Sequence, residues 1–183
     1  IGTRQKPSKS QTRQSRNRMY FIGNSIIKNG TIAPLSEQEQ TGRDGEIYEL
    51  FRVENKKPIF LDDHLERFRR SIESAKKSTE CLKNIESLIE WLIICNPLSD
   101  CNVRLCLGTD GVFQGGFVTS SFPTQQMYAE GVKVGVLDAI RENPQAKIYH
   151  VEMRADAKLQ QENLGTYESL LVNPEGQITE GSR

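Results

Sequence analysis

Two side chains in the C-terminal part of the chain could carry covalent chemistry, the amine of Lys147 and the carboxylate of Glu180. A lysine amine forms imines with carbonyl compounds, and a carboxylate can pair with the protonated nitrogen of an aromatic ring. A lysine taken alone is usually an exposed surface residue, so its presence does not define a site. The assignment of these two residues therefore depends on the motifs around them.

A row of polar residues on a predicted helix offers further chemistry. His64, Arg67 and Ser71 are spaced by three and four residues and share one helix face. The row borders a stripe predicted to face the core, which consists of Leu61, Leu65, Phe68, Ile72 and Ala75. Because charged residues occupy the neighbouring positions, this pattern alone favours a solvated flank over a binding face.

The elements that position these residues begin with a strand over residues 46–54, which is apolar on both faces and therefore predicted to be central in a sheet. The helix with the polar row follows, and Asp62 or Asp63 is expected to cap it. A second helix, capped by Ser78 or Thr79, is predicted from the apolar spacing that follows.

A hairpin and a second α/β segment are predicted further along the chain. Strands over 102–107 and 112–121 flank an Asp-Gly turn, which is a strong hairpin signal. A helix over 151–164 should end at Gly165, since glycine readily adopts the left-handed conformation. A strand, a turn over 173–176 and a last strand that carries Glu180 complete the pattern.

The sequence predicts two domains preceded by a leader. Residues 1–18 contain six basic residues and no acidic one, and we interpret them as a disordered leader. A nucleic-acid arm is the alternative, but no aromatic residue is interleaved with the charges. Residues 19–123 are expected to form an N-terminal α/β domain, residues 124–131 a connector, and residues 132–183 the start of a C-terminal domain that is truncated at the last residue.

Composition argues against several classes of protein. The 183 residues include 24 basic and 24 acidic residues, and the longest apolar run, from Trp91 to Cys95, is far too short to span a bilayer. Four cysteines without a C-x-x-C pair and only two histidines argue against a metal site. No secretory signal is apparent, so we expect a cytoplasmic protein without a nucleic-acid or membrane partner.

Three motifs together resemble the class IV aminotransferase family, whose members are fold-type IV enzymes that use pyridoxal 5'-phosphate (PLP). They are the segment YELFRVENKKPIFLDDHLERFRRS, the N-P-x-x-K sequence and the T-E-G-S sequence. The family includes branched-chain and D-amino acid aminotransferases and aminodeoxychorismate lyases. The resemblance extends from Met19 to the end of the chain and implies a two-domain α/β (α+β) fold whose second domain is incomplete here.

The resemblance also implies roles for five residues. It places the PLP-binding lysine at Lys147 and the glutamate that pairs with the pyridine nitrogen at Glu180. Arg67 corresponds to the arginine that contacts the cofactor phosphate, which a guanidinium can bind through two donors. Arg104 resembles the position that recognises a substrate carboxylate, and Tyr48 the aromatic residue that lines the substrate pocket.

The implied activity is transfer of an amino group between an amino acid, branched-chain-like or glutamate, and a 2-oxo acid. Two positions depart from the family pattern, so the resemblance does not identify the substrate. His150 stands where many members have asparagine, and Val151 stands where branched-chain enzymes have tyrosine. One alternative is an aminodeoxychorismate lyase, which would convert 4-amino-4-deoxychorismate to 4-aminobenzoate and pyruvate. Another is an inactive fragment or non-catalytic module. The resemblance further implies a homodimer, with PLP bound between the domains.

Overall fold

The computed structural model describes residues 19–141 and 143–182. The predicted leader, residues 1–18, lies outside this range. The helices of the described chain are α1 (Leu61–Ser74), α2 (Ile85–Cys95), α3 (Gln125–Glu130) and α4 (Val151–Leu164). The strands are β1 (Ile22–Lys28), β2 (Thr31–Pro34), β3 (Ile47–Glu54), β4 (Lys57–Pro58), β5 (Cys101–Leu107), β6 (Phe113–Val118), β7 (Val134–Asp138), β8 (Glu168–Val172) and β9 (Ile178–Gly181).

The chain divides into two compact units. Among the described residues, the first unit contains 19–122 together with 143–149, and the second contains 123–141 and 150–182. The predicted boundaries had assigned 143–149 to the second domain. That segment belongs to the first unit because its backbone pairs with the start of β3, where the amide of Tyr48 donates to the carbonyl of Lys147 at 2.9 Å.

The first unit is an antiparallel six-stranded sheet in the order β2-β1-β6-β5-β3-β4, with its core against α1 and α2. Apolar side chains from the sheet and both helices exclude water from this interface, which provides the main driving force for folding. The predicted hairpin is present as β5 and β6, which pair from Leu107↔Phe113 outward. Fully buried members of the core include Phe51, Phe68, Ile72, Ile89, Leu92, Val103, Leu105 and Phe117.

Strand β3 is an internal strand of this sheet, as predicted, with β5 on one side and β4 on the other, although it lies second from the edge. It is nevertheless bonded along both edges. Strand β5 runs beside its full length, and on the other side β4 pairs with its last two residues while the 147–149 segment pairs with its beginning. The 147–149 segment, distant in sequence, thus completes the backbone pairing at the beginning of β3.

The predicted starts of the first two helices are wrong. Neither Asp62 nor Asp63 caps α1, because the cap position is Phe60 in a left-handed conformation, and both acids lie in the first turn. There they still favour the helix through its dipole. Thr79 instead precedes a short 3-10 turn, and Asn84, at φ 56°, separates that turn from α2.

The second unit is a three-stranded sheet in the order β7-β8-β9, with α4 packed against it. As predicted, α4 ends at Gly165, which has a φ of 59°. Strand β7 is parallel to β8, whereas β9 returns antiparallel after the turn over 173–176. The segment predicted as a connector contains the short helix α3, which begins where the hydroxyl of Thr124 accepts from the amide of Met127.

The described residues contain no candidate membrane span and no candidate metal site. No helix in residues 19–141 and 143–182 is long and apolar enough to cross a bilayer. Within the same residues, no three histidine, cysteine, aspartate or glutamate side chains are grouped so that they could hold a metal ion.

Candidate active site

A buried carboxylate, that of Glu49, forms the centre of a charged cluster in the first unit. Arg67 donates to it through two nitrogens, with Nε–Oε2 at 2.7 Å and Nη2–Oε1 at 2.6 Å. The Nζ of Lys147 and the Nδ1 of His64 lie 3.2 Å and 3.1 Å from Oε1. A carboxylate with no solvent exposure is tolerated only when it is paired in this way.

Two elements bring the basic side chains to Glu49. Helix α1 carries Arg67 and His64 on the face that the three- and four-residue spacing defines. Lys147 is fixed through its backbone, because its amide donates to the hydroxyl of Ser71 at 3.1 Å and its carbonyl accepts from Tyr48. The polar row on α1 therefore faces the cluster. The spacing alone had favoured a solvated flank, whereas the family resemblance had already indicated a site residue at Arg67.

His64 completes the contacts of the cluster. Its Nδ1 lies 3.2 Å from Nη2 of Arg67 as well as 3.1 Å from the carboxylate of Glu49. A neutral ring with its proton on Nε2 accepts from Arg67, whereas a ring protonated on Nδ1 donates to Glu49.

The electrostatics keep Glu49 ionised. Burial acts to raise the pKa of Glu49, but the hydrogen bonds from Arg67 and the charge of Lys147 outweigh it and hold the pKa below its ordinary value. The same hydrogen bonds raise the pKa of Arg67, against the opposing effect of burial. One carboxylate thus faces two cationic side chains, and the cluster carries a positive excess that suits an anionic ligand.

A second ion pair, Arg104–Glu46, lies beside this cluster. Both side chains are almost fully buried, at 4% and 2% exposure. The guanidinium carbon of Arg104 lies 4.2 Å from the centre of the Tyr48 ring and 5.4 Å from that of Tyr149. Arg104 is therefore already neutralised by Glu46 and held by cation–π contacts.

Tyr48 links the two charged groups. Its ring contacts Arg104 on β5 and lies 5.2 Å from the Nζ of Lys147. The ring of Tyr149 meets it edge to face at 5.8 Å. Such an edge-to-face pair adds about 0.5–1.5 kcal/mol beyond burial, so it stabilises the position of Tyr48 next to the lysine amine.

Glu180 lies in the second unit, on β9. Its Oε2 accepts from Nη1 of Arg141 at 2.6 Å. Of the five residues singled out from the sequence, the structure brings Lys147, Arg67, Tyr48 and Arg104 together in the first unit and places Glu180 in the second.

Several residues of the site were missed in the sequence. Glu49 had a usable signal, because it is the single acid in the apolar row formed by Ile47, Phe51 and Val53, and a charge on a buried face needs a partner. Glu46 and Tyr149 gave no comparable signal. Their roles depend on the pairing of β3 with the 147–149 segment, which the sequence did not reveal.

Comparison with solved structures identifies the fold. A structure assigned provisionally as a 4-amino-4-deoxychorismate lyase is 22% identical, with a TM-score of 0.67 over 77% of this chain and 59% of that one. The T.th. branched-chain amino acid aminotransferase, with pyridoxamine 5'-phosphate, is 20% identical, with a TM-score of 0.68 over 88% and 63%. That of Thermoproteus uzoniensis, with norvaline, is 18% identical, with a TM-score of 0.70 over the same shares.

These likenesses confirm the predicted fold-type IV architecture, with mixed helices and strands. At such identities they establish the fold alone, and they include both aminotransferases and a lyase. The chain spans about three-fifths of the length of these neighbours.

Sequence comparison carries the assignment further. No curated protein matches the chain. The model of the amino-transferase class IV family, however, matches residues 46–183, which include every residue of the site described above and most of the chain. This confirms the resemblance carried by the three motifs. The protein therefore belongs to the class IV aminotransferase family.

Proposed function

We propose that the protein is a PLP-dependent aminotransferase that transfers an amino group between an amino acid, branched-chain-like or glutamate, and a 2-oxo acid. The observation that carries this proposal is the cluster in which Glu49 holds Lys147 beside Arg67. Two structural neighbours support the cofactor, since one contains pyridoxamine 5'-phosphate and another N-(5'-phosphopyridoxyl)-L-glutamate.

The chemistry of the cluster fits a phosphorylated aldehyde. The side chains of Arg67 and Lys147 are 43% and 25% exposed, so an incoming ligand can reach both. Arg67 uses Nε and Nη2 for Glu49 and His64, and no described residue accepts from Nη1. That donor, together with the positive excess of the cluster, is suited to phosphate oxygens.

Lys147 would perform the covalent and proton-transfer steps. Bound PLP supplies an electron sink that stabilises negative charge at the substrate α-carbon. The amine of Lys147 would hold the cofactor through its aldehyde, and the same Nζ would accept the α-proton of the substrate and return it. Only a neutral amine attacks the aldehyde, and the Nζ of Lys147 lies 3.2 Å from Oε1 of Glu49.

The other proposed residues would bind and orient the cofactor or the substrate. Tyr48 would line the site beside the lysine amine, and Glu180 would accept from the pyridine nitrogen and keep the ring protonated. A substrate carboxylate that binds Arg104 has to share the guanidinium with Glu46, because that pair is already formed. A homodimer and a cytoplasmic location, both suggested by the family, belong to the same proposal.

Chemical labelling tests the proposal. Incubation of the protein with PLP, followed by borohydride reduction and peptide mass spectrometry, should place the cofactor on Lys147. Lys147→Arg keeps the charge beside Glu49 but cannot form the bond, so it should remain unlabelled. Labelling of a different lysine would refute the assignment, and absence of any label would favour the non-catalytic alternative.

An aminodeoxychorismate lyase is the second candidate, because one structural neighbour is described as that enzyme. It would use the same lysine but needs no amino-group acceptor. Release of pyruvate from 4-amino-4-deoxychorismate without a 2-oxo acid would support the lyase. Amino transfer that stops when the 2-oxo acid is omitted would support the aminotransferase.

A further inference from the structure

The second unit contains a partly buried ion pair between Arg141 and Glu180. The Nη1–Oε2 distance is 2.6 Å, and the side chains are 14% and 32% exposed. Exposed ion pairs contribute little, because water screens them and two long side chains lose entropy. This pair is substantially shielded, so its geometry is better defined than that of a surface pair.

The sheet topology explains why the two residues meet. Asp138, the last residue of β7, pairs with Val172, and Leu171 pairs on its other side with Glu180 of β9. Glu180 therefore lies near the sheet edge at which β7 ends. Arg141 follows three residues after that end, and its long side chain can reach past β8 to the carboxylate.

The backbone around Glu180 is fixed independently of Arg141. On one side of it, the hydroxyl of Thr179 donates to the carbonyl of Leu171 at 3.2 Å. On the other side, the amide of Ser182 donates to the carbonyl of Ser169 at 2.9 Å and to the carboxylate of Glu168 at 3.1 Å. What remains to be set is the direction of the Glu180 side chain, and Arg141 is the residue that sets it.

We propose, on the basis of the function proposed above, that Arg141 is a positioning residue for the cofactor ring. It occupies Oε2 of Glu180 and leaves Oε1 to accept from the protonated pyridine nitrogen. A carboxylate with two oxygens can serve a guanidinium and a ring N–H at the same time. Arg141 thereby selects the orientation of Glu180 in which the ring is recognised, before the ring arrives.

The test compares PLP with a deaza analogue in which carbon replaces the ring nitrogen. Both carry the aldehyde and phosphate, but only PLP can donate to Glu180. The wild-type protein should bind PLP more tightly than the analogue, by about 10-fold or more, as expected for a hydrogen bond to a charged group. Arg141→Met should lower this preference several-fold, Arg141→Lys should retain most of it, and Glu180→Ala, which removes the hydrogen-bonding group, should abolish it.

Controls separate this proposal from the function on which it rests. Lys158→Met removes a cation from an exposed position of α4 in the same unit and should leave the preference unchanged. Arg141→Gln keeps a donor without the charge and replaces the methionine variant if that variant does not fold. Wild-type protein that PLP does not label at Lys147 would overturn the proposed function. Labelled protein with an unchanged preference in Arg141→Met, or with no preference in the wild type, would overturn the role of Arg141 alone.

Discussion

Two glutamates, one in each unit, are held by arginines in different ways. Glu49 in the first unit has no exposed surface and contacts Arg67, Lys147 and His64. Glu180 in the second unit is about one-third exposed and has its carboxylate on Arg141. A buried charge requires enough partners to replace its hydration, whereas a partly exposed one can keep an oxygen for a ligand. We therefore expect Glu49 to be structural as well as functional, and Glu180 to be chiefly functional.

The largest expected effect concerns the most buried pair of the first unit. Arg104→Met leaves Glu46 buried, and among the described residues only the amide of Gly42 then donates to its two oxygens. Loss of one member of a buried pair costs about 3–5 kcal/mol of unfolding free energy. Urea unfolding should show this loss. A loss below about 1 kcal/mol would mean that the pair is not buried as described.

Glu49→Ala should have the next largest effect, a loss of about 2–3 kcal/mol of unfolding free energy, because Arg67 and Lys147 lose the carboxylate between them. The loss is smaller than for Arg104→Met because both cations are partly exposed to solvent. The matched change in the second unit, Glu180→Ala, should cost less than about 1 kcal/mol. Urea unfolding of the two variants measures the contrast directly. Equal losses would remove the distinction between a structural and a functional glutamate.

The comparison of the two glutamates also predicts how the unfolding free energy depends on pH. Because the folded protein holds the pKa of Glu49 below its ordinary value of 4.5, this residue contributes stability above that pH. The contribution should be lost as pH falls through the lower, folded-state pKa. Glu49→Gln should flatten the decline in unfolding free energy below about pH 4.5, while Glu180→Gln serves as the control. A decline equally steep in both variants would contradict the assignment.

The smallest expected effect is that of Arg141→Met on stability. The pair with Glu180 is partly exposed, and the backbone of β9 is held by other hydrogen bonds. We expect a loss of about 0.5–1 kcal/mol. Chemical unfolding should detect little, even if cofactor recognition changes. A loss as large as that of Glu49→Ala would instead indicate a structural role for Arg141.

Local patterns gave much of the fold correctly, and long-range pairing explains most of what they missed. Helix α4 and its end at Gly165 follow from residues adjacent in sequence. The start of α1 was mistaken because Phe60 adopts a left-handed conformation that the two aspartates did not suggest. The pairing of 147–149 with β3 joins residues about 100 positions apart, so no local pattern could predict it.

The residues of the candidate site divide in the same way, into those that local motifs predicted and those that only long-range contacts revealed. Lys147, Arg67 and Glu180 were chosen from motifs, whereas Glu49 was seen only as part of an alternating strand. Its importance emerged when the structure placed two cations and a histidine on its carboxylate. Arg141 carried no signal, because its contact with Glu180 spans a strand and a helix in sequence.

The crystal structure of the protein after incubation with PLP and reduction by borohydride tests the central claim most directly. We predict one covalent bond, from Nζ of Lys147 to the cofactor, with the phosphate bonded to Arg67 and the ring nitrogen to Glu180. A cofactor attached to another lysine, or a phosphate bound away from Arg67, would contradict the account.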